Sequence, residues 1–262
     1  MQLARATLQL TRPDSSLLAF LSVLLPVFVR TQNLTISLTR ALPLLFISMC
    51  TFIINDLDDI EKDKINHPRR PLPTGKIKPA FAATLYYLCL ALALLSIRLL
   101  IKPGPIAFWY YLLLIMSISY SYIVEFLSDF KAMYVAIAVS IPILILTAYY
   151  PEEQQLYVIA AAVGVFTFGR ELCMDVNDRP GDPVSFLHKI DAHKVATTAF
   201  ASQLMALALV VHQAEKLLDI LVVLVMSFAL LLAYSFWFHL HREEPAIVTM
   251  KFIIFLGLYF LL

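Results

Sequence analysis

This 262-residue sequence has little charge, little glycine and only three cysteines, and each shortage excludes a class of protein. Asp, Glu, Lys and Arg make up only 15% of the chain, whereas 60% is hydrophobic and the mean hydropathy is +0.79. Soluble domains carry about 25% charged residues, so the composition indicates a membrane protein. Six glycines beside 12% aromatic residues exclude a low-complexity or disordered chain.

The three cysteines suggest neither a disulfide framework nor, with the histidines, a zinc site. Cys50, Cys89 and Cys173 lie in apolar segments, where a free thiol behaves as a small hydrophobic group. We expect no cleavable signal peptide, because residues 1–14 resemble a short amphipathic segment instead. The net charge of +1 says little by itself, and only the distribution of the charged residues along the chain is informative. We expect no nucleic-acid partner.

Apolar stretches long enough to cross about 30 Å of hydrocarbon recur along the whole chain. No strand-like alternation persists, and only helices or closed barrels satisfy their backbone groups in lipid. The sequence therefore predicts a single domain, residues 1–262, that is an all-α, multi-pass bundle of about nine membrane-spanning helices. The predicted spans are 15–33, 36–56, 79–99, 105–124, 131–150, 156–176, 194–213, 217–238 and 245–262.

The Lys and Arg residues predict the orientation, because cytoplasmic segments of membrane proteins are rich in them. With the N-terminus in the cytoplasm, the cytoplasmic segments hold Arg5, Arg12, Lys62, Lys64, Arg69, Arg70, Lys76, Lys78, Lys131, Arg179, Lys189, Lys194 and Arg242. The opposite side holds only Arg30, Arg40, Arg98, Lys102 and Lys216. This bias places the two longest loops, 57–78 and 177–193, on the cytoplasmic side.

Two acidic clusters lie at the cytoplasmic ends of predicted helices and concentrate the scarce negative charge. They are Asn55-Asp56-x-x-Asp59-x-x-x-Asp63 and Glu171-x-x-x-Asp175-x-x-Asp178-x-x-x-Asp182. Residues spaced by three or four lie near one helix face, so each cluster presents several carboxylates together. Asp58 and Glu61 fall off that face and are expected to be solvated. Pro180 and Gly181 are expected to end the second helix before Asp182.

Several carboxylates at the edge of a membrane imply a cation that neutralises them. Mg²⁺ favours a few carboxylates together with substrate phosphate oxygens and waters, and it stabilises charge on a departing diphosphate. The first loop also supplies Arg69, Arg70, Lys76 and Lys78, which suit phosphate oxygens. The two clusters thus predict Mg²⁺-dependent chemistry on a phosphorylated lipid at the membrane surface.

The two clusters and their flanks resemble the signatures of the UbiA superfamily of intramembrane prenyltransferases. The first resemblance runs from Asn55 to Asp63 and continues as Asn66-His67-Pro68-Arg69-Arg70-Pro71-Leu72-Pro73-Thr74-Gly75. The second covers Arg170-Glu171-Leu172-Cys173-Met174-Asp175-Val176-Asn177-Asp178-Arg179-Pro180-Gly181-Asp182, and Arg12-Pro13 also fits the family pattern. The resemblance implies nine membrane-spanning helices around a central cavity, capped by two cytoplasmic loops.

The resemblance further implies that an isoprenyl diphosphate binds through Mg²⁺, ionises and alkylates a lipophilic acceptor, often an aromatic ring. The implied metal ligands are Asn55, Asp56, Asp59, Asp63, Glu171, Asp175, Asp178 and Asp182, of which Asp56, Asp59, Asp175 and Asp178 are the expected catalytic residues. The implied diphosphate contacts are Asn55, Arg70, Lys76, Tyr120 and Lys131. Many relatives carry Tyr-Ser-x-x-Leu-Lys after the fourth span. Here Val124-Glu125 replaces Leu-Lys, so Lys131 is the nearest basic substitute.

Two alternatives remain open from the sequence. In a minority of the superfamily, the substrate's own double bonds attack the carbocation, which gives a terpene cyclase that needs no acceptor. The acidic motifs serve ionisation in both reactions and do not separate them. A transporter is the second alternative, since intramembrane acids mark ion paths, but transporter sites usually lie near the midplane rather than at one edge.

Overall fold

A computed structural model of the protein describes residues 2–126, 128–182, 189–213, 217–238 and 243–262. Throughout these ranges the regular structure is helical, with no strand. The α-helices are α1 Gln2–Thr11, α2 Pro13–Thr31, α3 Leu34–Asp58, α4 Ile60–Asn66, α5 Pro79–Leu100, α6 Pro105–Phe126, α7 Lys131–Tyr149, α8 Gln155–Asp178, α9 Ala192–Val211, α10 Leu217–Phe238 and α11 Glu243–Gly257. Two short 3₁₀ helices complete the list: Ser128–Phe130 lies just before α7, and Leu258–Leu261 lies just after α11.

The predicted all-α membrane architecture is confirmed. Among the described residues, eight helices are long and apolar enough to cross a membrane, namely α2, α3 and α5–α10. The ninth predicted span, 245–262, forms the 15-residue helix α11, which then tightens into a 3₁₀ turn. At 1.5 Å per residue, α11 covers about 22 Å, so it is shorter than the hydrocarbon layer.

Local sequence signals set several helix boundaries. Pro13 and Pro79 occupy the first turns of α2 and α5, where a missing N–H costs no hydrogen bond. The Asn33 side chain accepts a hydrogen bond from the Ile36 backbone N–H at the start of α3, and Asp191 does the same for Lys194 at the start of α9.

The helices group into two compact units. The first contains residues 2–126 together with residues 180–182. Its centre is α3, which packs against α1, α2, α5 and α6. Leu44, Ile47, Cys50 and Ile53 are almost completely buried along α3. Their spacing of three carries the buried surface about half way around the helix, as its packing against several neighbours requires. The Tyr110 hydroxyl of α6 donates to the Arg40 carbonyl oxygen at 2.6 Å, which satisfies a polar group inside this helix packing.

The second unit contains the remaining described residues and is centred on α8. This helix packs against α7, α9 and α11, while α10 packs against α9 and α11. Gly169 permits the close approach of α8 and α9, because a side chain there would collide with the Ala199 carbonyl and the Ser202 hydroxyl. Small residues that admit close backbones are the usual basis of helix packing in lipid, where the hydrophobic effect does not drive association.

The outward faces of the helices carry large apolar side chains. On α10, Leu224, Phe228 and Leu231 are each about 60% exposed and follow one helix face. In water such a stripe would be a liability, whereas hydrocarbon solvates it at no cost. Cys50, Cys89 and Cys173 are buried in the helix packing.

Candidate active site

The first acidic motif lies at a break between two helices rather than on one continuous helix. Asp59 lies between α3 and α4, with backbone angles of φ −94° and ψ 13°. The backbone N–H of Asp59 donates to Asn55 and that of Asp63 donates to Asp59, at 3.0 and 2.7 Å. The four-residue steps are therefore preserved across the break. Asp58 and Glu61 are exposed, as expected from their position off the shared face.

Two carboxylates of this motif share one guanidinium. Arg70 Nη1 lies 2.8 and 2.6 Å from the two oxygens of Asp63, and 3.4 Å from Asp56 Oδ1. Both Asp side chains are 4% exposed, whereas Arg70 is 24% exposed. Burial raises the pKa of the Asp63 carboxyl, and the Arg70 charge partly offsets that increase. The loop arginine therefore gathers Asp56 and Asp63 around one positive charge.

A second guanidinium reaches Asp56 from the start of the chain. Arg12 Nη2 lies 2.5 Å from Asp56 Oδ1, and the Arg12 guanidinium stands 5.1 Å from the centre of the Phe52 ring. Arg12 has φ 41° and ψ 67°, in the left-handed region, and joins α1 to α2 just before Pro13. That backbone costs about 1–2 kcal/mol for an L-residue. The ion pair and the cation–π contact offset this cost.

The remaining residues of the first motif are more accessible. Asp59 Oδ1 pairs with Lys62 Nζ at 2.8 Å, with both side chains partly exposed. Asn55 is partly buried near the end of α3, and Lys76 is exposed in the loop before α5. Screened surface pairs contribute little to stability, so Asp59 can exchange Lys62 for another cation at small cost.

The second motif occupies the last two turns of α8, which ends at Asp178 as Pro180 and Gly181 predicted. Asp175 Oδ1 lies 2.7 Å from Lys131 Nζ, and these side chains are 13% and 16% exposed. Asp178 is buried, and the Asn177 amide donates to its Oδ1 at 2.9 Å. Lys131 begins α7 and thus provides a partly buried positive charge beside the motif.

Glu171 lies deeper in the membrane-spanning part of α8 and pairs with its neighbour Arg170. Both side chains are largely buried, at 5% and 15% exposed. An ion pair inside a spanning helix lowers the cost of both charges. Tyr120 lies on α6 and is partly buried.

Asp182 follows the end of α8 and belongs by its packing to the first unit. The Asn66 amide of α4 donates to Asp182 Oδ1 at 3.4 Å. A Cβ on Gly181 would lie 2.7 to 2.8 Å from three atoms of the Asn66 carboxamide. The last carboxylate of the second motif is therefore in contact with the end of α4.

The donor chemistry fits Mg²⁺, since every motif side chain offers carboxylate or amide oxygen. Asp56 and Asp63 already converge on a single cation, Arg70. Over the described ranges, no three Asp, Glu, His or Cys side chains form a ready metal-holding group. Two carboxylates per ion, completed by substrate oxygens and waters, match the preference of Mg²⁺ better than a full protein cage.

The structure adds residues that the sequence did not place among the site residues. Arg12, Lys62 and Asn66 each contact a motif carboxylate, and Arg170 pairs with Glu171. All four lie in the segments that resemble the family, but the sequence assigned none of them a role in the site. Lys131 and Arg70 were named from sequence, and each contacts an acidic motif residue.

Comparisons of this chain with known proteins agree on one protein family. The model of the UbiA prenyltransferase family matches residues 16–257. A digeranylgeranylglyceryl phosphate synthase from Methanosphaera stadtmanae is 27% identical over 216 residues, which cover 78% of this chain and 73% of that protein. A synthase of the same name from Methanoculleus marisnigri is 35% identical over 112 residues, which cover 37% of this chain and 40% of that protein.

Solved structures show the same fold at low sequence identity. A UbiA homologue from Aeropyrum pernix K1 in its apo form has a TM-score of 0.69 and 17% identity, with 98% of this chain and 96% of that chain covered. A structure from work on digeranylgeranylglyceryl phosphate synthase in membranes has a TM-score of 0.67 and 18% identity, with 100% and 98% covered.

Proposed function

Because this chain belongs to the UbiA prenyltransferase family, we propose that it ionises an isoprenyl diphosphate with Mg²⁺ and transfers the prenyl group to a lipophilic acceptor within the membrane. The family and the apolar helices make it a multi-pass membrane prenyltransferase. The observation that supports the proposed chemistry is the pairing of buried or partly buried motif carboxylates with basic side chains, as at Asp56 with Arg70 and at Asp175 with Lys131.

The acceptor we propose is a glyceryl phosphate lipid rather than an aromatic ring. Relatives are named digeranylgeranylglyceryl phosphate synthase, and a product of that name carries two geranylgeranyl groups on one glyceryl phosphate. A prenyl transfer that completes such a product joins a geranylgeranyl group to a free hydroxyl of a singly substituted lipid. The allylic C–O bond breaks with its electron pair on diphosphate, the hydroxyl oxygen forms the new C–O bond, and its proton is released.

The proposed metal ligands are Asn55, Asp56, Asp59 and Asp63 from the first motif and Asp175, Asp178 and Asp182 from the second. Mg²⁺ bound there supplies positive charge against the departing diphosphate. Asp56, Asp59, Asp175 and Asp178 are the proposed catalytic residues. Glu171 has the weakest support as a ligand, because its carboxylate is paired with Arg170.

Arg70 and Lys131 are proposed to change partners during binding. Each holds a motif carboxylate in the structure, and each is a cation suited to phosphate oxygens. If Mg²⁺ were held by these carboxylates, Arg70 and Lys131 would be available to the diphosphate. Asn55, Lys76 and Tyr120 are proposed as its other contacts. The exposed Lys76 reaches it as a mobile point charge.

The N-terminus and both acidic motifs are proposed to face the cytoplasm. The support is the distribution of Lys and Arg, which favours the side that carries α4 and the loop before α5. A water-soluble diphosphate head would then enter from the cytoplasm while the prenyl chain lies in hydrocarbon. The central cavity expected from the family is the proposed location of that chain.

The test measures diphosphate release and lipid products from purified protein in detergent. We expect Mg²⁺-dependent transfer from geranylgeranyl diphosphate to geranylgeranylglyceryl phosphate, with loss of turnover in EDTA. Asp59→Asn should remove this turnover, whereas the exposed neighbour Asp58→Asn should leave it within about twofold and serves as the matched control.

Three outcomes would contradict parts of the proposal. Cyclic hydrocarbon or terpene alcohol formed without acceptor would establish a cyclase. Transfer only to an aromatic acceptor would overturn the proposed lipid acceptor. Turnover that survives both Asp59→Asn and Asp178→Asn would overturn the metal assignment. If these variants kept their turnover and changed only an ion flux across the membrane, transport would be favoured.

A further inference from the structure

The contact between the end of α4 and the residues after α8 is not used by the proposed chemistry. Asn66 is the last residue of α4, and Asp182 lies 116 positions later in the sequence. The Asn66 Nδ2 atom donates to Asp182 Oδ1 at 3.4 Å. This distance is long for a hydrogen bond, so its contribution alone is small.

A second, independent feature of the same contact is steric. Gly181 packs its backbone directly on the Asn66 carboxamide, whose Oδ1, Cγ and Nδ2 atoms lie 2.7 to 2.8 Å from the position a Cβ would take. Real Cβ atoms do not approach so closely. Gly181 has an ordinary negative-φ backbone rather than a left-handed one. A Cβ at 181 would therefore force the Asn66 carboxamide to move, without any strain in the backbone.

The chemistry of Asn66 differs from that of the other motif partners. Lys62, Arg70 and Lys131 bring positive charge to the carboxylates they contact. A carboxamide is neutral, so it orients Asp182 without neutralising it. A donor that holds one carboxylate oxygen fixes the direction of the other, and such supporting contacts typically change metal affinity by about 10–100-fold.

We propose that Asn66 is a positioning residue that holds Asp182 for metal–diphosphate binding, with Gly181 providing the close approach. This inference rests on the proposed function, because it assumes that Asp182 is a metal ligand. It assigns Asn66 no contact with substrate. Its effect is to place the last carboxylate of the second motif at a fixed position relative to the first.

The experiment compares Asn66→Ala, Gly181→Ala and the double variant. Mn²⁺ in the presence of inorganic diphosphate is the probe, and binding is followed by electron paramagnetic resonance, which needs no turnover. Each single variant should weaken Mn²⁺ binding by about tenfold. The double variant should be no weaker than either single variant, because removing the Asn66 side chain makes room for the new methyl group. Such non-additivity is the signature of direct contact.

Gly257→Ala is the matched control for the added methyl group. Its Cβ would meet only Met226 Cε at 3.8 Å, an ordinary contact, so metal binding should stay unchanged. Circular dichroism and size-exclusion chromatography report folding. If Gly181→Ala does not fold, Asn66→Ala still decides the question, since it only removes atoms.

Wild-type Mn²⁺ affinity in Asn66→Ala, or additive losses in the double variant, would overturn the positioning role. Failure of the underlying metal assignment has a different signature. In that case Asp59→Asn and Asp178→Asn would also bind Mn²⁺ and diphosphate as the wild type does. If those two variants lose binding while Asn66→Ala binds as the wild type does, the metal assignment stands and only the positioning role of Asn66 is overturned.

Discussion

Replacing Lys131 with Met should lower stability without Mg²⁺ and, at the same time, increase the stabilisation that Mg²⁺ provides. Lys131 Nζ lies 2.7 Å from Asp175 Oδ1, and both side chains retain less than a fifth of their exposure. Met preserves most of the side-chain volume and removes the charge. Asp175 then loses this positive partner in the metal-free protein, while any divalent cation no longer competes with the lysine.

The expected size follows from burial and distance. At 2.7 Å and an effective dielectric constant of about 20, the attraction between the charges is roughly 6 kcal/mol. Desolvation cancels much of this, and removing one partner of a buried pair typically costs about 3–5 kcal/mol. Because Lys131 and Asp175 keep some exposure, we expect a cost near the lower end of this range. A loss of about 3 kcal/mol corresponds to a fall of roughly 6–12 °C in Tm for a chain of this size.

The assay is thermal unfolding in detergent, first with EDTA and then with Mg²⁺ alone, because Lys131 is itself a proposed diphosphate contact. Lys194→Met is the control, since Lys194 is exposed at the start of α9. We expect Lys131→Met to melt well below the control in EDTA and to recover more with Mg²⁺ than the wild type does. If both variants melt alike under both conditions, Lys131 does not neutralise Asp175 and the reasoning fails.

Three further predictions address charge, pH and orientation. Asp178→Asn should abolish diphosphate release and remain folded by size-exclusion chromatography, since the change keeps the side-chain shape; retained turnover would contradict its role. Arg70→Gln should further raise the pKa of Asp63, which burial already raises. A raised pKa makes the ionised carboxylate less favourable in the folded state, so the variant's free energy of unfolding should fall relative to that of the wild type as the pH rises. In thermal melts with EDTA, a difference between the two proteins that does not depend on pH would contradict this. Cysteines introduced at the exposed Lys64 and Lys102 should react with an impermeant maleimide from the cytoplasmic and the opposite side respectively, and the reverse labelling would invert the proposed orientation.

The family signatures could be found from sequence because their chemistry is local in the chain. Asn55, Asp59 and Asp63 follow one another at steps of four, and this spacing survives the helix break at Asp59. The exposure of Asp58 was predicted by the same periodicity. The break itself was missed, because a single residue between two helices leaves no periodic signal.

Long apolar runs in a chain with so little charge were sufficient to determine an all-helical membrane protein, since lipid admits few other backbones. The partners of the carboxylates required the tertiary structure. Arg12 meets Asp56 across 44 positions and Asn66 meets Asp182 across 116. Hydrophobicity and spacing specify which helices form and which face carries acid, but only the packing of α1, α3 and α4 decides which charge reaches which carboxylate.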